Sequence, residues 1–126
     1  MDCPIEGCTI LIVENELLLA MTLAKIVGSC GGSVAGPVAC ATRAGALLDA
    51  GGIDAALIDF NLVDHTSESL ALALAARDVP FAFVTGHSRA LLPESMHAFP
   101  ILEKPCSFDQ VRRLLQTLCA ARQRDA

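Results

Sequence analysis

The stretch Thr9-Ile10-Leu11-Ile12-Val13 is a run of aliphatic and β-branched residues that stops at the acidic residue Glu14. A run of this length and composition predicts a fully buried β-strand. Two other short apolar runs end in the same way, one at Asp59 and one at Lys104. Because the carboxyl ends of parallel strands meet along one edge of a sheet, we expect these polar residues to converge. The sequence therefore predicts a site with carboxylates and an ammonium, which suits a divalent cation beside a phosphoryl group.

The rest of the chain alternates short apolar runs with longer Leu- and Ala-rich segments. Strands are predicted at Thr9–Val13, Ser33–Gly36, Asp54–Ile58, Pro80–Val84 and Pro100–Leu102. Helices are predicted at 15–30, 42–50, 67–77, in a short segment after Thr85 and at 107–122, with N-caps at Asn15, Thr42, Ser67 and Ser107. This order predicts an α/β fold with a flavodoxin-like five-stranded parallel sheet, strand order 2-1-3-4-5, and helices on both faces. We expect a single domain over residues 1–126, with its core at about residues 9–121 and fraying from Arg122 to Ala126.

Composition narrows the classes of function. The chain has 126 residues, 53% hydrophobic, a mean hydropathy of +0.52 and a formal charge of −5. The negative charge argues against nucleic-acid binding. No apolar stretch is long enough for a membrane span, and no secretory signal precedes the first strand, so we expect a cytoplasmic protein without a membrane partner. The six cysteines are expected to be reduced thiols in the core rather than disulfides or zinc ligands.

The strand-end motifs together resemble the receiver domain of two-component response regulators. They are Glu14 after the first strand, Asp59 after the third, Thr85-Gly86 after the fourth and Lys104-Pro105 after the fifth. Any one of these motifs alone is weak, but the combination is specific and covers nearly the whole chain, residues 9–119.

This resemblance implies that Asp59 accepts a phosphoryl group with the help of Mg²⁺. Glu14 matches an acidic metal-binding position, Asn15 stands at the second such position, and the backbone carbonyl of Asn61 matches a further metal contact. With Asp59 itself these residues form the expected metal site.

The resemblance also assigns the remaining polar residues of the site. Thr85 matches the hydroxyl that bonds the phosphoryl oxygen, and Lys104 matches the lysine that pairs with the phosphoryl group. A cis peptide bond is expected between Lys104 and Pro105, aiming the lysine inward. The implied partners are a histidine kinase or histidine-phosphotransfer protein and a downstream protein, with homodimerisation left open. The protein is then not an enzyme in its own right.

Three departures from the receiver pattern qualify this interpretation. Asn15 replaces a carboxylate that normally touches the metal, so Mg²⁺ should bind more weakly. Ile101 stands where many receivers carry an aromatic switch residue, with Phe99 nearby but out of register. The segment from Thr85 to Lys104 is short, which predicts a reduced fourth helix. The fourth-strand sequence Phe83-Val84-Thr85-Gly86 resembles a subgroup ending in Phe-Ala-Thr-Gly, which lacks the aromatic switch and often occurs as stand-alone domains.

Two alternatives to this interpretation remain. The chain could be a pseudo-receiver, an interaction module in which Asn15 has impaired Mg²⁺ binding and phosphorylation. A phosphatase-like α/β enzyme using Asp59 is disfavoured, because Asn61 stands where a second catalytic Asp is needed. Separately, Leu17, Leu18 and Met21 are expected to be partly exposed on the first helix, either as a partner-docking patch or as ordinary surface scatter.

Overall fold

The computed structural model describes residues 5–60, 62, 67–86 and 92–125. Its elements, in chain order, are β1 (Thr9–Val13), α1 (Leu17–Ser29), β2 (Ser33–Val38), α2 (Ala41–Ala50), β3 (Ala55–Ile58), α3 (Glu68–Ala76), β4 (Phe81–Thr85), a 3-10 turn (Glu94–Met96), β5 (Ile101–Glu103) and α4 (Phe108–Asp125). All strand pairs are parallel, and the order in the sheet is β2-β1-β3-β4-β5. The predicted flavodoxin-like α/β fold is confirmed.

The apolar runs of β1, β3 and β4 are continuous because both faces of the sheet are covered. In β1, Leu11 and Val13 point into one hydrophobic core, together with residues of α2 and α3. Ile10 and Ile12 point into a second core, together with residues of α1 and α4. Alternate residues of a strand face opposite sides, so a strand buried on both sides carries no polar residue until it ends. The first polar residue after such a strand is thereby held at the sheet edge.

Helix starts differ in part from the predicted caps. Helix α1 begins after Glu16 rather than at Asn15, and α2 begins after Cys40 rather than at Thr42; neither cap residue makes a side-chain capping bond. Ser67 does precede α3, but its hydroxyl donates to the Phe60 carbonyl instead of capping the helix.

The predicted N-cap of the last helix is confirmed. The Ser107 hydroxyl accepts a hydrogen bond from the Gln110 amide at 3.1 Å, and the Gln110 side chain accepts one from the Ser107 amide at 2.8 Å. This reciprocal pair is a capping box. The helix continues to Asp125, past its predicted end near Arg122.

Strand bounds move by one or two residues. Strand β2 continues past Gly36 to Val38, with a register irregularity opposite β1 between Leu11 and Val13. Gly36 has a φ of 94°, and a Cβ there would lie 2.8 Å from the Val38 nitrogen, so only glycine fits. This course of the strand brings the Val38 carbonyl within 2.9 Å of the Glu14 amide, which donates to it.

The connection between β4 and β5 is short, as predicted. In its described part, residues 92–100, the helical structure is the single 3-10 turn; residues 87–91 lie outside the described residues. The Phe99 ring is half-buried and packs against Phe81 with centroids 4.6 Å apart. Ile101 lies in β5 opposite Phe83 and packs against the same core.

Cys8, Cys30, Cys40, Cys106 and Cys119 form no disulfide. Over the described ranges, none of the helices combines the length and hydrophobicity needed to cross a lipid bilayer.

Candidate functional site

Three of the predicted site residues are the first residues after their strands, and the sheet ladder still holds their backbones. The Glu14 amide donates to the Val38 carbonyl at 2.9 Å, and the Asp59 amide donates to the Val13 carbonyl at 2.8 Å. The Lys104 amide donates to the Thr85 carbonyl, also at 2.8 Å. Strand pairing therefore positions residues from distant parts of the sequence at the same carboxyl edge.

The Lys104 ammonium lies at the centre of this edge, among three carboxylates. Its Nζ is 3.1 Å from Glu14 Oε1, 3.2 Å from Asp59 Oδ2 and 2.8 Å from Glu16 Oε1. The peptide bond between Lys104 and Pro105 is cis, as expected. The predicted convergence of Glu14, Asp59 and Lys104 is thus present in the structure.

Burial divides these charged groups into an inner and an outer set. Glu14 and Asp59 are only 3% and 6% exposed, and the Lys104 side chain is 14% exposed. The Glu16 side chain is 64% exposed and lies on the rim. Inner charges are poorly screened by solvent, so their mutual interactions are strong.

The surroundings shift two of the pKa values upward. Burial, with a contribution from the neighbouring Asp59 charge, raises the pKa of Glu14 above its ordinary 4.5, although the Glu16 amide and Lys104 act in the opposite direction. For Lys104, burial alone lowers the pKa. Hydrogen bonds to Glu16 and Glu14 and the charge of Asp59 outweigh burial and raise it, so the ammonium stays charged at neutral pH.

Glu16 is the site residue that the sequence analysis did not assign. Its contact with Lys104 depends on a partner far away in sequence. The sequence contained one indication that Glu16 belongs to the site: it lies in the connection between β1 and α1, at the edge where the site was predicted.

The other predicted site residues are placed as follows. Thr85 is fully buried at the end of β4, beside Lys104. Asn15 is exposed in the connection between β1 and α1. Asn61, the predicted carbonyl ligand, lies outside the described residues.

The donor set fits a divalent cation. Glu14, Glu16 and Asp59 each offer one carboxylate oxygen, and these oxygens lie within 4.8 Å of one another. Oε1 of Glu14 is buried, with the Lys104 ammonium 3.1 Å away. Hard oxygen donors grouped in this way are the ligands that Mg²⁺ prefers.

Solved structures resemble this chain closely. SdrG from Sphingomonas melonis Fr1 is 38% identical to it over 92% of this chain and 96% of that chain, with a TM-score of 0.77. A response regulator receiver domain (CheY-like) from Methylobacillus flagellatus is 28% identical over 88% and 98% of the two chains, with a TM-score of 0.75. The chain belongs to the family of CheY-like response regulator receiver domains.

A more distant receiver domain shares the fold. It is the receiver domain of the sensor histidine kinase PA1611 from Pseudomonas aeruginosa PAO1, solved with a magnesium ion coordinated in its active-site cleft. It is 23% identical over 90% of this chain and 98% of that chain, with a TM-score of 0.75. No family model and no curated protein matches the chain described here.

Proposed function

We propose that Asp59 accepts a phosphoryl group from a histidine kinase or histidine-phosphotransfer protein, with Mg²⁺ bound at the same edge. The observation that carries this proposal is the Lys104 ammonium, 3.2 Å from Asp59 and 3.1 Å from the buried Glu14. A cation held beside a nucleophilic carboxylate can neutralise the oxygens of an incoming phosphoryl group.

In the proposed transfer, a carboxylate oxygen of Asp59 attacks phosphorus. A P–O bond forms as the P–N bond of the phosphohistidine breaks, and the electron pair and a proton remain with the leaving imidazole. Lys104 pairs with a phosphoryl oxygen, and the Thr85 hydroxyl donates a hydrogen bond to another. When bound, Mg²⁺ adds positive charge that the phosphoryl oxygens need. The magnesium in the cleft of the PA1611 receiver supports this assignment.

An apolar patch next to the site suits the docking of a protein donor. Leu17, Leu18 and Met21 are 72%, 80% and 54% exposed on α1, whose first residue follows Glu16 directly. Exposed apolar side chains grouped on one helix are typical of interaction surfaces. We therefore propose that the phosphodonor protein contacts this patch while its histidine reaches Asp59.

The proposed output is binding to a downstream protein in the cytoplasm, without an enzymatic activity of the domain's own. Phosphorylation adds charge at an edge that joins β1, β3, β4 and β5. A change at those strand ends alters the adjoining surface, which a partner then recognises.

Intact-mass measurement after incubation with acetyl phosphate and Mg²⁺ tests the acceptor assignment. The wild-type chain should gain the mass of one phosphoryl group, and Asp59→Asn should gain none. Asp49→Asn, which alters an exposed acid on α2, is the matched control and should label normally. Undiminished label in Asp59→Asn would refute the assignment, whereas an unlabelled wild-type chain would support the pseudo-receiver alternative.

A further inference from the structure

Ser67, in the connection between β3 and α3, is a fully buried polar residue that the proposed transfer does not use. We propose that Ser67 is a positioning residue for phosphoryl transfer to Asp59. Its hydroxyl acts through the main chain of Phe60, the residue that follows the nucleophile. This inference rests on the proposed function, since it concerns how the same acceptor residue is held in place.

Two hydrogen bonds join Ser67 to Phe60, seven residues earlier in the chain. The Ser67 amide donates to the Phe60 carbonyl at 2.8 Å, and the Ser67 hydroxyl donates to the same oxygen at 3.2 Å. A carbonyl oxygen has two lone pairs and can accept both bonds. Together the two bonds fix the direction of this carbonyl, and with it the main chain directly after Asp59.

Ser67 is itself attached to a well-packed helix. Its carbonyl accepts a hydrogen bond from the Ala71 amide at 2.8 Å, which joins Ser67 to the first turn of α3. That helix buries Leu70, Ala71 and Leu74 in the hydrophobic core. The two bonds to Phe60 therefore start from an element that the core holds in place.

The main chain of Asp59 is consequently constrained on both sides. On the strand side, the Asp59 amide donates to the Val13 carbonyl at 2.8 Å. On the other side, Ser67 fixes the Phe60 carbonyl, and the Phe60 ring packs edge-on against Phe83 with centroids 5.7 Å apart. Because the aspartate side chain is short, the position of its carboxylate closely follows that of the main chain.

The two ordinary roles of a serine at this place do not explain the hydroxyl. A serine before a helix usually caps it, but the Ser67 hydroxyl makes no capping bond to α3, whose residues are all described. The Phe60 carbonyl does not need the hydroxyl as a partner either, because the Ser67 amide already donates to it. Burying a hydroxyl costs free energy that an alanine would avoid. The second constraint on Phe60 is therefore what the hydroxyl contributes.

Phosphoryl transfer is sensitive to a constraint of this kind. The protein contributes mainly positioning and electrostatic stabilisation to the reaction, and a misplacement of about 1 Å can cost about a hundredfold in rate. The attraction between Mg²⁺ and a carboxylate falls only with the inverse of their distance, so a small displacement changes it much less. Loosening Asp59 should therefore slow the transfer and leave the affinity for Mg²⁺ almost unchanged.

The test measures the rate of acetyl phosphate labelling across a Mg²⁺ titration, under conditions where urea unfolding shows that each variant is folded. Ser67→Ala should lower the maximal rate about tenfold and leave the half-maximal Mg²⁺ concentration within about twofold of the wild type. Ser67→Thr retains a hydroxyl and should recover most of the lost rate. Ser29→Ala is the matched control and should label like the wild type, because the Ser29 hydroxyl also donates to a carbonyl, that of Ile26 at 2.9 Å, but at the far end of α1.

A wild-type labelling rate in Ser67→Ala would overturn the inference, because the hydroxyl would then serve only folding. An equal loss of rate in Ser29→Ala would do the same, as would slower labelling that a higher half-maximal Mg²⁺ concentration explains in full. Ser67→Thr labelling as slowly as Ser67→Ala, at wild-type stability, would also count against it. Label on the wild type without an effect of Ser67→Ala leaves the proposed function standing, whereas an unlabelled wild-type chain rejects both.

Discussion

Replacing Lys104 with methionine should destabilise the cation-free domain. Methionine keeps most of the aliphatic stem and removes the ammonium from between Glu14, Glu16 and Asp59. Two of those carboxylates are almost fully buried, so water cannot take over the role of the lost charge. Uncompensated buried charge is among the costliest defects that a single substitution creates.

The distances set the size of the effect. At 3.1 Å from Glu14 and 3.2 Å from Asp59, each attraction is about 5 kcal/mol at an effective dielectric of about 20. Desolvation of the ammonium and proton uptake by the abandoned carboxylates offset much of this. Removing one member of a buried pair typically costs about 3 kcal/mol. For a domain of this size that corresponds to a loss of roughly 10 °C in Tm. The exposed contact with Glu16 adds only about 0.5 kcal/mol.

Urea unfolding in EDTA and in excess Mg²⁺ measures the effect. Lys25, on α1 and exposed, is the only other lysine in the chain, so Lys25→Met is the matched control and should stay within about 0.5 kcal/mol of wild type. Mg²⁺ should recover most of the loss in Lys104→Met, because a divalent cation replaces the missing charge. Wild-type stability of Lys104→Met in EDTA would refute the argument from the ion pairs.

Other expectations concern the site, the helices and the core. The raised pKa of Glu14 means that the folded state binds the proton of the Glu14 carboxyl more tightly than the unfolded chain does. The contribution of Glu14 to the free energy of unfolding therefore falls as pH rises from 4.5 through the raised pKa. Glu14→Gln should therefore be more stable than wild type at pH 7 in EDTA, and urea titrations should show the difference shrinking towards pH 5. Ser107→Ala removes a capping hydroxyl and should cost about 1 kcal/mol by thermal unfolding, while Ser107→Thr should keep most of it. Phe99→Ala should cost about 3 kcal/mol by the same measurement, since its ring packs against Phe81; a loss below 1 kcal/mol would contradict that packing. Amide exchange with and without beryllofluoride should show the main changes in residues 85–95, of which 87–91 lie outside the described residues, and little change at Ile101.

The sheet and the inner site could be predicted from sequence for one physical reason. Strands buried on both faces must be apolar throughout, so β1, β3 and β4 stand out as runs, and the residue that ends each run is fixed at the edge. Asp59 and Glu14 were found in this way. The strand order followed from right-handed crossovers with short connections.

Features that depend on side-chain competition or on distant partners could not be predicted. Asn15 and Thr42 are good capping residue types, but α1 starts after Glu16 and α2 starts after Cys40, and neither of those residues makes a side-chain capping bond. We predicted that the second strand ends at Gly36, whereas β2 bends there and continues. The position of Glu16 against Lys104 depends on a fold-level juxtaposition that no local pattern encodes.

The hydrogen bond from the Lys104 amide to the Thr85 carbonyl couples the end of β4 to the end of β5. While that bond holds, a displacement imposed on one strand end is shared by the other. The β5 end continues through Pro105 to Ser107, the N-cap of α4, so a displacement of the edge would reach the start of this helix along the main chain. A displacement that travels through the backbone requires no side chain to change rotamer. Such a route would need no aromatic switch residue at the position of Ile101.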